Sequence, residues 1–395
     1  MKNFIFISPN FPQIYWQFCK ELKNNGLRVL GIGDCPYDDL TQELRNNLHE
    51  YYKVGSLENY DEVFRAVAFF TYKYGKIDWL ESNNEYWLER DAALRTEFNI
   101  TSGWKTEDMY KIKYKSAMKE FYKKAGIPTA RYHLVKGYED SAAFIEQVGY
   151  PVVVKPDNGV GASSTYRLTC DDDLRNFIQN KDDNVYIMEE FVNGHVRTFD
   201  AIINSKGEPI FETGNVTPLS LMDVVNDRMD SIYYIVKELS PEIRNAGYKT
   251  VQAFDVKSRF VHLEFFVLNE DQEGLGKRGD VIGLEVNMRP AAGFSPDMYN
   301  YAYETDVYKI WADMIAFDHS TVPLDRPHHY CAYVGRRDGN AYQMDHNAIV
   351  NMYGDRIKFS GRMPDALADC MGNEVYIVNL DTEDELQQFF KNTMS

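Results

Sequence analysis

Cysteine, basic charge and long apolar runs are all scarce in this chain, and each scarcity removes a class of protein. The 395 residues hold five cysteines, Cys19, Cys35, Cys170, Cys331 and Cys370. They are odd in number, widely spaced and without a C-x-x-C pair, which argues against a disulfide framework or a cysteine zinc site and for a reducing compartment. Lys and Arg total 43 against 60 Asp and Glu, a formal charge of −17. Such a surface repels phosphate backbones and anionic lipid heads, and no basic patch offsets it, so neither nucleic acid nor a membrane surface is an expected partner. No apolar run approaches the roughly 20 residues that span a bilayer, and the opening MKNFIFISPNFPQ lacks the apolar core and cleavage site of a secretory signal. The expected location is the cytoplasm. Two phosphate-binding fingerprints are missing as well: G-x-G-x-x-G after the first strand, and G-x-x-x-x-G-K-[ST]. What remains is a globular composition, 44% hydrophobic, with room for two to three domains at roughly 150 residues each.

The first hundred residues alternate short apolar runs with helical periodicity. The pattern predicts strands at 3–7, 28–33, near 52 and at 77–80, with helices over 12–25, 38–48, 60–74 and 85–98. Strands alternating with helices at this spacing imply βαβ units and a parallel sheet, a Rossmann-like domain by architecture only. The periodicity pauses at Thr101, Ser102 and Gly103, and one helix is expected from about Thr106 to Ala125, stopped by Gly126 and Pro128. From Tyr132 to Leu219 the order reads strand, helix, strand, Gly-rich loop, strand, helix, strand, strand. From Ser231 to about Phe317 come a helix, three strands (250–256, 261–268, 281–287) and a closing helix. The polar stretch 269–280 reads as a solvated hairpin excursion, and 320–395 as short strands and turns. The expected division is 1–105, 106–318 (lobes 106–192 and 193–318) and a small α+β tail, 319–395.

Three segments carry chemistry. In YPVVVKPDNGVGASSTYRL a β-branched run ends in Lys155, and Gly159, Gly161 and Ser163 follow in a loop. Small residues let backbone N–H groups close over phosphate oxygens, and the lysine adds a point charge. A Gly-rich hairpin turn with an edge lysine is the competing reading. In VYIMEEFVNGH an apolar strand ends in Glu189 and Glu190, with Phe191 and Val192 continuing it. Such an edge offers backbone groups to an adenine, although two acids at a strand end are commonly just solvated. In VHLEFFVL and GLEVNMRPAAGF, Glu264 and Glu285 sit inside apolar strands, with Asn287 and Arg289 at two-residue steps beyond Glu285 and so on one strand face. Two carboxylates and an amide oxygen suit a hard cation such as magnesium, and the arginine suits a developing oxyanion. A buried Glu285–Arg289 salt bridge is the plainer alternative, but it would leave Glu264 unpaired.

Taken in order, these pieces resemble the ATP-grasp superfamily. The resemblance rests on Lys115 eleven residues before Gly126 of a Gly-Ile-Pro turn, Lys155 before a Gly-rich loop, Glu189 to Val192 as a hinge strand, Glu264, and Glu-x-Asn-x-Arg at 285–289. It covers about 1–318 and implies a Rossmann-like N-terminal domain followed by a two-lobed ATP-grasp fold. It further implies that Lys115, Lys155, Gly161 and Ser163 contact ATP phosphates. Glu189 through its carbonyl and Val192 through its amide would read adenine, with Glu190 nearby. Glu264, Glu285 and Asn287 would hold two magnesium ions, with manganese as a substitute, and Arg289 with Lys155 would act on the reacting groups. The implied reaction is attack of a carboxylate on the ATP γ-phosphate, then attack of an amine on the acyl phosphate. Positioning and electrostatics supply most of the catalysis in such phosphoryl transfer.

Two departures narrow the likeness. Gly194 is followed by His195 and Val196 where many relatives carry an acid, and His195 reads as a surface histidine. Arg289 runs into Pro290–Gly293 rather than a Val-Glu pair, which disfavours bicarbonate activation and is closer to amino-acid and peptide ligases of the superfamily. Carboxyphosphate chemistry, as in carbamoyl phosphate synthetases, and a nucleotide-binding regulator without turnover are the alternatives. Small-molecule acid and amine substrates are the expected partners; the residues do not fix the oligomeric state, and a homodimer is carried as one option. In the N-terminal part, Glu81 and Asn84 are candidates for substrate contact or domain docking, with an N-cap at Ser82 or Asn83 as the competing role. Arg336 and Arg337 read as strand-end surface residues or an anion patch.

Overall fold

The computed structural model describes residues 1–159, 164–218, 228–363 and 365–394, without the side chains of 365 and 366. Gly161 and Ser163, predicted to cover phosphates, lie outside the described residues. The first sheet contains β1 (Asn3–Ile7), β2 (Arg28–Gly33), β3 (Glu50–Lys53) and β4 (Trp79–Glu81), all parallel in the order β3-β2-β1-β4. β1 and β2 are apolar on both faces because both faces are covered, whereas the edge strand β3 is polar and only partly buried. Ile5, Ile7, Leu30 and Ile32 pack on Val63, Val67 and Phe70 of the Tyr60–Tyr74 helix side. Phe4 and Phe6 meet Phe18 and Trp311, the last from a helix (Val307–Phe317) contributed by a distant part of the chain. Phe18 and Trp311 rings sit 4.9 Å apart, edge to face.

A second, antiparallel sheet comprises β5 (Tyr132–Leu134), β6 (Val152–Pro156), β7 (Tyr166–Leu168) and β8 (Tyr186–Glu190), ordered β5-β8-β6-β7. Phe144, Leu174 and Phe177 from helices Tyr138–Val148 and Asp171–Asn180 close its core with Val152, Val154 and Met188. The third sheet has β9 (Gly194–Ile203), β10 (Pro209–Thr213), β11 (Asn215–Thr217), β12 (Ser231–Ile235), β13 (Arg259–Leu268), β14 (Val281–Asn287), β15 (Tyr330–Arg336), β16 (Ile357–Arg362) and β17 (Glu374–Leu380). Its order is β14-β13-β9-β11-β12-β15-β17-β16, with β10 also on β9, so the C-terminal strands extend the same sheet as the central ones. Alternation sorts the residues of β9 and β13. Phe199, Ala201, Val261, Leu263 and Phe265 face a core with Ile243, Ala246 and Tyr122, whereas Asp200, His262 and Glu264 take the opposite face. Two glycines allow close approach here. A Cβ on Gly247 of the Pro241–Ala253 helix would meet the Phe199 ring at 2.2 Å, and one on Gly283 would meet Tyr122 at 2.7 Å.

The order predicted from Tyr132 to β9 and the excursion at 269–280 agree with this topology, whereas β10 and β11 are two strands more than expected before residue 219. Four further expectations change. The single helix over 106–125 is two, Met109–Lys113 and Lys115–Lys124, because Tyr114 between them is extended (φ −97°, ψ 116°). The second of these is capped from outside: Asp157, just past β6, accepts from Ser116 N (2.7 Å) and Oγ (2.8 Å). The segment 250–256 is no strand. Its residues to Ala253 finish the Pro241–Ala253 helix, whose face carries Val251 inward, and Phe254 then packs on Phe121 with rings 5.0 Å apart. The tail is helical as well as stranded, with helices His346–Tyr353, Asp365–Met371 and Glu383–Met394. Arg336 and Arg337, finally, are buried rather than on the surface. Arg336 donates to Thr393 O (2.7 Å), and Arg337 donates to the Met229 and Asp369 carbonyls (2.9 and 2.7 Å), which makes them internal clamps.

Among the described residues, no helix is long and apolar enough to cross a membrane.

Candidate functional site

Two lysines predicted to meet phosphates start from different elements and converge. Lys115 opens the Lys115–Lys124 helix, and its Nζ donates to Gly159 O (3.1 Å) and lies 3.5 Å from Glu285 Oε1. Its backbone N–H donates to Asp157 O (2.9 Å), which ties this helix end to the chain just after Lys155. Lys155, on β6, has its Nζ 2.8 Å from Glu189 Oε2. One helical turn beyond Lys115, Lys119 pairs with the other oxygen of the same glutamate. Glu189 is therefore a buried carboxylate between two ammonium groups. Burial alone would raise its carboxyl, but the charges of Lys119 and Lys155 and their hydrogen bonds overrule that and depress it to about 2. Lys119 itself loses basicity, burial outweighing the attraction of Glu189, while Lys155 gains it, because Glu189 and Glu285 outweigh its burial.

The acidic side of the cleft comes from β13 and β14. Glu264 stands opposite Glu285 in the antiparallel register, and Asn287 opposite His262. The register shifts between Glu264 and Phe265, leaving Leu284 as an extra residue beside Glu285; such bulges re-aim side chains next to functional sites. Glu264 Oε1 accepts from Asn287 Nδ2 (3.1 Å) and lies 3.2 Å from His262 Nε2. Behind it, His262 Nδ1 donates to buried Asp200 Oδ1 at 2.6 Å, and Thr198 pairs with the other Asp200 oxygen. Burial disfavours a charged His262, yet Asp200 and Glu264 raise it to about 9, so both ring nitrogens donate at neutral pH. Glu264 is held below the ordinary carboxylate value: burial opposes this, but the hydrogen bond and charge of His262 prevail, followed by Arg289 and Lys155. Glu285 is raised, by burial first, with Lys115 pulling against it and the Glu264 charge adding to it.

Arg289 completes the constellation. It donates to Asn287 Oδ1 (3.1 Å) and Pro290 O (2.9 Å), and its Nε lies 3.6 Å from Glu85 Oε2 of the N-terminal part. Lys115 with Glu285, Lys155 with Glu189, and Glu264 with Asn287 and Arg289 thus form three contact groups, and the charge of Lys155 acts on both Glu264 and Glu285. Val192 and Glu190 lie apart from these groups, at and just beyond the end of β8. Val192 packs with Leu268, Leu275 and Ile282, while both oxygens of Glu190 are engaged by Arg131, through its N–H (2.6 Å), Nε (2.9 Å) and Nη2 (2.6 Å). Glu189 and Glu190 are both inside the ladder of β8 with β6 rather than solvated at its end. Glu81 has the docking role: Arg95 (2.9 Å) and Arg259 of β13 (2.8 Å) both reach its Oε2, deep in the core. Asn84 is a cap, its Oδ1 accepting from Tyr86 N (3.0 Å).

Lys119, His262, Asp200, Glu85 and Lys113, which donates to Glu85 Oε1 (2.8 Å), adjoin these residues without having been foreseen. Lys119 had a signal, the four-residue step from Lys115, and His262 another, the two-residue step before Glu264. The donors on this wall are two carboxylates and an amide oxygen, and the Glu264 charge pushes Glu285 up, a repulsion that a divalent cation relieves. A hard cation such as magnesium fits that set. Among the described residues no three His, Cys, Asp or Glu side chains are grouped to hold a metal alone, so water and substrate oxygens would fill its remaining positions.

A helix-borne lysine and a strand-borne lysine facing a two-strand acidic wall, between an antiparallel sheet and a larger sheet, are the arrangement that the resemblance to the ATP-grasp superfamily implies. No protein-family model matches the chain. D-alanine–D-alanine ligase B of Clostridium perfringens is 35% identical over 101 residues, 25% of this chain and 33% of that protein. An L-arginine-specific L-amino acid ligase of Bacillus subtilis is 33% identical over 104 residues, 26% of this chain and 25% of that protein. The chain therefore spans only about a third or less of the length of these curated relatives. Among solved structures, an L-amino acid ligase from Bacillus licheniformis superposes over 99% of this chain and 96% of its own, with a TM-score of 0.71 at 14% identity, a likeness of fold. The chain is thus similar to ATP-grasp carboxylate–amine ligases, over about a quarter of its length in sequence and over nearly all of it in fold.

Proposed function

We propose that the protein is an ATP- and magnesium-dependent ligase that joins a small carboxylate to an amine. The carboxylate oxygen attacks the γ-phosphorus of ATP and ADP leaves; the amine nitrogen then attacks the acyl carbon, loses a proton, and inorganic phosphate leaves. The observation that carries this reading is that two lysines face the acids of β13 and β14: Lys115 Nζ lies 3.5 Å from Glu285, the charge of Lys155 acts on both Glu264 and Glu285, and Asn287 joins Glu264 to Arg289. Lys115 and Lys155 bind the phosphates, assisted by Gly161 and Ser163. Glu189 and Val192 meet the adenine through their backbone, with Glu190 buttressed by Arg131 beside them. Glu264, Glu285 and Asn287 would hold two magnesium ions, for which manganese would substitute. Bound there, the metal would neutralise phosphate charge. Arg289 steadies the carboxylate and the acyl phosphate made from it, and no side-chain nucleophile is needed.

The same reading divides the chain into a Rossmann-like unit at 1–105, grasping lobes at 106–192 and 193–318, and a C-terminal subdomain at 319–395. It places the protein in the cytoplasm, a location supported by its five free cysteines, as a monomer or homodimer. The test is ADP release over a panel of carboxylic acids with amines, with hydroxylamine as a general amine that captures acyl phosphates as hydroxamates. Glu285→Gln should abolish ADP release while circular dichroism stays unchanged, and a fully active variant would overturn the assignment. Bicarbonate-dependent ADP release without an organic acid would indicate carboxyphosphate chemistry instead.

A further inference from the structure

The polar excursion 269–280 is folded by its own bonds and then fastened to another part of the chain. Leu268 N donates to Asp280 O (3.1 Å) at its neck, and Gln272 and Gly276 exchange backbone bonds of 2.9 and 3.0 Å further out. From there the half-buried Gln272 reaches the segment 191–193, which leads from β8 to β9. Its Nε2 donates to Phe191 O (2.8 Å) and its Oε1 accepts from Asn193 N (3.1 Å). Asn269 adds its N–H to Asn193 O (3.0 Å) and its Nδ2 to Asn193 Oδ1 (3.1 Å). His195, whose Nε2 accepts from Arg197 Nε, donates from Nδ1 to Asn269 Oδ1 (3.0 Å). Polar networks whose members are satisfied rigidify the backbone they hold.

The segment so held is one of two joints. The chain enters the β5–β8 sheet through 126–131 and leaves it through 191–193, so that sheet has no other covalent tie to the rest of the protein. Leu275 of the excursion packs in one cluster with Ala130 and Val192, one from each joint. The sheet also touches the Lys115–Lys124 helix, where the Asp157 side chain accepts from Ser116 N and the Asp157 carbonyl from Lys115 N (2.9 Å). That helix goes with the large sheet, since its Met118 and Tyr122 pack with Leu263 and Phe265 of β13. We propose that Gln272 is a positioning residue, and that the excursion is a strap which braces 191–193 and so keeps the β5–β8 sheet seated on the Lys115 helix end, with Lys155 over the acids, before nucleotide arrives. This rests on the ligase reading only for the identity of that ligand. Domain motions are absorbed by a few joint residues that change φ and ψ, and the strap removes that freedom at one joint of two. Because it joins β13 to β14, it sets the attitude of the β5–β8 sheet relative to the strands that carry Glu264 and Glu285. A nucleotide meeting a seated sheet binds with its full affinity, whereas one meeting a mostly unseated sheet loses affinity in proportion to the seated fraction.

The test is hydrogen exchange by mass spectrometry on the full-length protein without nucleotide, comparing the parent with Gln272→Ala and Gln272→Glu. The glutamate keeps the size of the side chain and an acceptor for Asn193 N, but it has no donor for Phe191 O and repels it. Both variants should speed exchange by about 10-fold or more over 190–196 and also at the amides of Lys115 and Ser116, whose acceptors are on Asp157, while β1 and β2 exchange as in the parent. Faster exchange over 190–196 alone would make the strap a local brace and overturn the inference, as would no change at all. Binding of a non-hydrolysable ATP analogue with magnesium should weaken by about 10-fold in both variants, with KM for ATP rising far more than kcat falls. Unchanged affinity beside faster exchange at Lys115 and Ser116 also overturns the positioning role. A parent protein that binds no nucleotide overturns the ligase reading instead, and the exchange comparison then decides the strap by itself.

Discussion

Replacing Glu189 by Gln removes the one carboxylate that two buried ammonium groups share. Lys119 and Glu189 are each 4% exposed, and Lys155 approaches Glu189 to 2.8 Å. A carboxyl held at about 2 instead of its ordinary 4.5 stabilises the folded state at neutral pH by about 3 kcal/mol. Breaking a buried pair from one side typically costs about 3–5 kcal/mol. The two figures agree on a loss of about 3 kcal/mol, at the lower end because Lys119 is already inclined to shed its proton and would relieve part of the strain. Urea unfolding at pH 7 measures the loss, and Glu189→Gln combined with Lys119→Met, which removes the second buried charge, should recover much of it. The pH dependence has a definite sign. Because the folded carboxyl is depressed, its contribution is complete above about pH 4.5 and is lost as the pH falls towards 2. The Gln variant should lack that component of acid destabilisation. A variant within about 1 kcal/mol of the parent at pH 7 would refute the idea that Glu189 is held by charge.

Two further substitutions probe the rest of the framework. Arg259→Met leaves buried Glu81 with Arg95 alone across a contact that spans 178 positions, and should cost about 3–5 kcal/mol in urea unfolding, with Glu81→Leu added in the same chain restoring part of it. A loss below about 1 kcal/mol would show that this tie does not bind the N-terminal sheet to β13. Asp200→Asn loosens the ring orientation of His262 behind Glu264 and should raise the magnesium concentration for half-maximal ADP release by about 10- to 100-fold, whereas a purely structural role would leave that concentration unmoved.

Much of the architecture was legible because burial imposes periodicity. β1 and β2 and the Tyr60–Tyr74 helix coincide with their predicted bounds, since both-sided or one-sided cover writes itself into apolar spacing. The segment 250–256 misled because Val251, Phe254 and Val256 are β-like in composition, yet the helix before it supplies the core contact that decides their conformation. Tyr114 broke the expected helix for a related reason: the cap comes from Asp157, more than forty residues away, and no local pattern announces it.

The site divides in the same way. By themselves, the residues determined the chemical inventory: two lysines, two acids in apolar strands, and an amide and arginine at two-residue steps, whose local spacing fixes a shared face. Only the tertiary structure decided which partners each charge has, because those partners arrive from other elements. Glu189 became the counter-ion of Lys119 and Lys155, Asp200 came to orient His262 behind Glu264, and Glu85 came within 3.6 Å of Arg289 across some two hundred positions. The physical reason is range. Periodicity records which side of an element is buried, while charge pairing depends on which elements pack face to face, and that is settled by the fold as a whole.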